Sequence, residues 1–236
     1  MLAVYKRELQ SYFLSPTAYV FMGFYMLFSG IIFTTANLWS ASSSYNTALG
    51  NQNFIFMMIV PVLTMKLLSE ERRNKTDQLL LTSPISVTSI VLGKYFAAIT
   101  VFIATLVLSL VYPLILAIFG QPAFGEILAG YIGFFLMGCA LIAVGTFISS
   151  VTESQIISAI VTFFVLLLIW IGDQAASLVS VPFIAAVIKW VSVYGRLSEF
   201  LSGLLSLKGL FYFVSYAAIF IFLAVRSVEK RRWSEG

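Results

Sequence analysis

Six charged residues and a threonine crowd positions 70–77: Glu70, Glu71, Arg72, Arg73, Lys75, Thr76 and Asp77. Mixed charge at this density is suited to charge-assisted hydrogen bonds with a matching surface. It is less suited to plain attraction toward anionic lipid, which needs bases alone. The residue types for catalysis are missing. The chain has no His, the commonest general base and metal ligand. Its one Cys, Cys139, lies in an apolar run, so an internal disulfide is impossible. No Walker A pattern, G-x-x-x-x-G-K-[ST], occurs; "VLGKYF" around Lys94 holds only the Gly-Lys pair. The chain is therefore expected to be no enzyme, to hydrolyse no ATP by that route, and to need no metal or cofactor. Its net charge of +4 makes no case for nucleic acid.

The segments that must position this charge are lipophilic. Of the 236 residues, 60% are hydrophobic and 10% charged, whereas a soluble domain is about 45–50% apolar and about 25% charged. A soluble chain of this length could not hide so much apolar surface, so an all-α membrane protein is expected. A spanning helix needs about 20 mostly apolar residues. Six stretches qualify: Thr17 to Trp39, Asn53 to Leu68, Val87 to Phe119, Ile127 to Ser150, Ser154 to Gly172 and Leu207 to Val225. Each should be helical, because lipid offers no partner to an unpaired backbone group. Pro61 and Pro113 should kink their helices. Gly133, Gly138, Ala140, Ala143 and Gly145 in the fourth stretch should let helices approach closely.

The chain reads as one unit, 1–236, with three special segments. Residues 1–16 lack the apolar core and cleavage site of a signal peptide and read as an amphipathic interface helix. Residues 67–86 carry the charged cluster, which "SEERRNKTDQ" can form as a short helix before the Ser-Pro break. Residues 173–206 are too interrupted for a seventh span and read as re-entrant or interfacial helices at the outer side. With the termini inside, eleven bases lie on the cytoplasmic side, against Lys189, Arg196 and Lys208 outside. That bias places both termini and the charged cluster in the cytoplasm. No acid falls at mid-membrane in any span, which argues against a proton- or sodium-coupled carrier. Lys66 and Lys94, at span ends, are expected to snorkel to the surface.

Four stretches resemble a known family: "YKRELQSYFLSPTAYVF", "SEERRNKTDQLLLTSPISVTSIVLGKYFA", "GTFISSVTESQIISAIVTF" and "KGLFYFVSYAAIFIFLAVRSVEKRRW". Together they look like an ABC-2 type transporter permease, of the branch with the gliding-motility and nitrous-oxide-reductase-maturation permeases. The second stretch is the most specific, although Lys75 stands where the family often has Gly. The resemblance implies an ABC-2 (type V exporter-like) transmembrane domain with six spans in the cell membrane. It implies one half of a dimer, with an identical or paralogous partner, served by two copies of a separate cytoplasmic ABC ATPase. Residues 67–86 would be the coupling helix, with Glu70, Glu71, Arg72, Arg73, Lys75, Thr76 and Asp77 as the docking surface and the N-terminal helix as a brace. Export is the expected direction. Two alternatives stand beside it: an ABC complex that transmits force to an extracytoplasmic auxiliary subunit without moving a solute, and a stand-alone channel or scaffold without an ATPase.

Overall fold

The computed structural model describes residues 1–73, 85–175 and 192–234, and all regular structure among them is helical. Six helices are long and apolar enough to cross a membrane: Pro16–Leu38, Tyr45–Arg73, Val87–Phe119, Phe124–Val151, Gln155–Asp173 and Leu207–Arg231. They are called spans one to six. Three shorter helices accompany them: an N-terminal helix Leu2–Leu14, a charged helix Ser69–Arg73 that ends the span-two segment, and a helix Val193–Leu201 before span six. The ends of the bundle are distinct. The N-terminal helix, the charged helix and the last turns of spans four and six meet at one end, here the terminal end. Asn46, Glu126 and Leu201 meet at the other, the far end.

Six spans accord with the sequence reading, but span two begins eight residues earlier than Asn53, at Tyr45. Two of the polar residues that argued for a loop there find partners inside the protein. Asn46 Nδ2 donates to the carbonyls of Glu126 and Leu201, each at 2.8 Å. Gln52 Oε1 accepts from the Tyr25 hydroxyl at 2.7 Å. Span six likewise continues beyond Val225, because its basic tail extends the helix out of the apolar layer.

Span four runs through the centre of the bundle and span five lies at its margin. No water drives helices together within lipid, so close approach of backbones does the holding. Span four supplies it through small residues. A β-carbon added at Gly138 would overlap the Phe102 ring of span three, and one at Gly145 would overlap Thr64 of span two. Phe102 is fully buried and its ring centroid is 4.7 Å from that of Phe56, which sits 5.3 Å from Phe134.

Span three is broken at Leu110, between helical segments Val87–Ser109 and Val111–Phe119. Pro113 has no N–H for the carbonyl four residues back, that of Ser109. The Tyr131 hydroxyl donates to that orphaned carbonyl at 3.1 Å. Pro61, by contrast, lies inside a helix that continues from Tyr45 to Thr64. At the far end Gly203 takes φ +82°, the left-handed region that favours glycine, and turns the chain into span six.

Gly138→Leu should overpack this core by about 1–3 kcal/mol. A lower unfolding midpoint in detergent is expected, partly restored by adding Phe102→Ala. A midpoint equal to that of the parent chain would refute the close contact.

Candidate functional site

The N-terminal helix presents Val4, Glu8 and Tyr12 on one face, at the four-residue spacing that aligns side chains along a helix. Each meets a different part of the bundle. Val4 is buried against Gly93 of span three, where a β-carbon would stand only 3.2 Å from it. Tyr12 donates to the carbonyl of Leu63 in span two at 2.6 Å. Between them, Glu8 Oε1 lies 2.9 Å from Lys94 Nζ of span three. Tyr5, on the neighbouring turn, shares a 2.9 Å hydrogen bond with Thr100.

Lys94 is the centre of the site. Its side chain is 1% exposed, and its ammonium lies 2.9 Å from Glu71 Oε1 as well as from Glu8. Arg7 closes the ring, 2.9 Å from Glu8 Oε1 and 2.6 Å from Glu71 Oε1. Two cations and two carboxylates thus join the N-terminal helix, the charged helix and the first turns of span three. The expectation that Lys94 snorkels to the surface is overturned. Its ammonium is held inside because two carboxylates meet it there, which is the condition for retaining a buried charge. Burial works to raise the pKa of Glu8, but the ammonium of Lys94 and the guanidinium of Arg7 outweigh it and hold the carboxyl below its ordinary value of 4.5.

The charged helix is fastened on its other side to span four. The Ser149 hydroxyl accepts from the backbone N–H of Leu68 at 3.0 Å and of Ser69 at 3.2 Å. These are the donors a helix start leaves unpaired. Arg72 donates to the carbonyl of Val151 at 2.8 Å and pairs with Glu153 in the turn between spans four and five. Glu71 and Arg72 are therefore internal struts. Glu70 is half-buried and Arg73 is exposed. Lys75, Thr76 and Asp77 lie outside the described residues. The sequence reading did not single out Glu8, Arg7 or Ser149 for this end. A signal for Glu8 was present: Lys94, inside an apolar run, needs a counter-ion, and Glu8 is the one acid of residues 1–16. Ser149 carried no such signal, since serines are common throughout the chain.

The arrangement is a set of connections: ion pairs tie the charged helix to span three and the N-terminal helix, and Ser149 and Arg72 tie it to the end of span four and the turn that follows. Lys94→Met would remove the buried cation and leave Glu8 and Glu71 with only the half-exposed Arg7 between them, at a cost of about 3 kcal/mol. The N-terminal helix should detach, read as faster labelling of a cysteine placed at Val4, while Lys94→Arg keeps it docked. Glu8, with its lowered pKa, contributes to docking at neutral pH. That contribution should fade only as pH falls below about 4.5, the ordinary glutamate value. Labelling that is flat across that range would remove Glu8 from the brace.

No curated protein matches the chain. A family model described as ABC-2 family transporter protein matches residues 40–228, which takes in all of spans two to five and most of span six. A match over that much of the chain, on six membrane-crossing helices, is decisive: this multi-pass membrane protein belongs to the ABC-2 transporter family, as a permease subunit of an ABC transporter.

Proposed function

We propose that this permease subunit is driven by a separate cytoplasmic ABC ATPase that docks on residues 67–86, and that it works as an exporter in the cell membrane. The observation that carries the reading is the ion cluster of Lys94 with Glu8 and Glu71, because it makes the charged helix rigid with the bundle. A loop that only set membrane orientation would not need a buried cation to hold it. A helix that receives force does, since a flexible attachment would dissipate the displacement before it reached the spans. Ion pairs removed from water resist displacement more than exposed ones, which are worth about 0–1 kcal/mol.

The roles within the docking surface differ. Glu71 and Arg72 anchor the helix to its own chain. Arg73, exposed at its end, is free to meet an acidic or carbonyl-rich surface on the ATPase, with Glu70, Lys75, Thr76 and Asp77 completing the contact. Both termini and the charged helix share the cytoplasmic side, in keeping with the base count of the sequence. A second permease copy, identical or paralogous, completes the transporter with a second ATPase, and closure of the two ATPases tilts the spans. The family supports the association with an ATPase and the paired arrangement.

The test is co-purification of the tagged chain with a P-loop ATPase expressed alongside it. Recovery at one ATPase per permease is expected. Arg73→Glu should lower the recovered ATPase about tenfold, the effect of losing about 1.4 kcal/mol of contact, while the permease stays folded. Recovery of the chain without an ATPase, or recovery unchanged in the variant, would overturn the reading.

A further inference from the structure

The far end carries a second feature that the coupling reading does not use. The start of span six and the helix Val193–Leu201 enclose a cleft of about 490 Å³ with Arg196 and Lys208 at its mouth. These are two of only three bases that the sequence assigns to that side of the membrane. Below them the wall is an aromatic ladder on one face of span six. The ring centroids of Tyr212 and Tyr216 are 5.8 Å apart, and those of Tyr216 and Phe220 5.0 Å. Ser215, exposed, lies on the same wall.

The dimensions and charge match one kind of molecule. Lys208 to Phe220 is twelve residues of helix, or about 18 Å at about 1.5 Å per residue. The hydrocarbon of one leaflet is about half of the roughly 30 Å core, so the cleft runs from headgroup level to the bilayer centre. Lys208 is exposed and has no ion-pair partner among the described residues. Arg196 lies 5.7 Å above the Tyr212 ring and has Glu199 at 3.6 Å, so Lys208 is the one of the two cations left without an ion pair among the described residues. Asp173 is a further acid near the mouth, but its carboxylate is turned to the Tyr194 N–H at 2.8 Å. The amino end of the span-six helix adds positive potential at the same level. A larger groove of about 660 Å³ between spans three and four differs in having no charged group on its walls, so nothing there selects a headgroup.

We infer that this cleft is a binding site for an anionic phospholipid of the leaflet at the far end, its phosphate on Lys208 and Arg196 and one acyl chain along Tyr212, Tyr216 and Phe220. The inference rests on membrane insertion alone and stands or falls apart from ATPase docking. Net charge selects the headgroup: a zwitterionic lipid carries a phosphate too, but its own ammonium offsets it, so it brings no net negative charge to match the unpaired Lys208. The aromatic wall holds the chain without selecting its length.

The test is native mass spectrometry of the full chain in detergent, titrated with phosphatidylglycerol and, separately, with phosphatidylcholine of the same acyl chains. Phosphatidylglycerol should bind several-fold more tightly. Lys208→Gln should weaken that binding about fivefold, and adding Arg196→Gln should weaken it by a similar factor again, the worth of one basic residue at an anionic surface. Lys208→Arg should keep it. Ser215→Trp, which places a bulky ring on the exposed wall and disturbs no core residue, should reduce the adducts of both lipids. Equal affinity for the two lipids, or phosphatidylglycerol binding unchanged in the double glutamine variant, would overturn the inference.

Discussion

One buried cation organises the terminal end of this protein. Lys94 cannot leave its ammonium in an apolar run without counter-charge, since an unpaired ion removed from water costs several kcal/mol. Glu8 and Glu71 come to it from segments far apart in sequence. Once both are there, the N-terminal helix must lie against span three and the charged helix must fold back beneath it. The face of Val4, Glu8 and Tyr12, the capping of the charged helix by Ser149 and the reach of Arg72 to Val151 all follow from that position. Arg7 contributes a second cation to the two carboxylates, so the cluster is balanced in charge.

In the rest of the bundle several polar groups that are buried find their partners inside the protein. The carbonyl freed by Pro113 is met by Tyr131. Tyr25 meets Gln52, and Asn46 ties the starts of spans two and four to the end of the helix Val193–Leu201. These contacts use hydroxyls and amides rather than ions, so the body of the bundle has little charge to move. Charge is kept for its two ends, as a balanced internal cluster at one and, at the other, as Arg196 paired with Glu199 beside a Lys208 unpaired among the described residues.

Much of the architecture was legible in the sequence because the bilayer imposes length and composition on each span. Five of the six spans were placed within a few residues at their starts, and the even number followed. The exception was span two, where Asn46, Gln52 and Asn53 looked like loop residues. Hydropathy sees a polar side chain but not the partner waiting for it, and here two of those partners lie on spans one and four and a third on the helix before span six. Both prolines were expected to disturb their helices; span three is broken beside Pro113, whereas Pro61, with the same local chemistry, left its helix uninterrupted.

The sequence by itself determined that the chain is helical, membrane-crossing and marked by one dense charged segment, because these depend on local composition alone. Its motifs also pointed to the family. Tertiary structure decided what that charge does. Glu71 and Arg72 turn inward, Arg73 stays exposed, and Lys94 reaches no surface. Arg196 and Lys208, scattered in the sequence, share one cleft mouth. The physical reason is that an ion pair is a matter of a few ångströms in space. Glu8 and Lys94 are 86 positions apart, and no pattern along the chain records such a meeting.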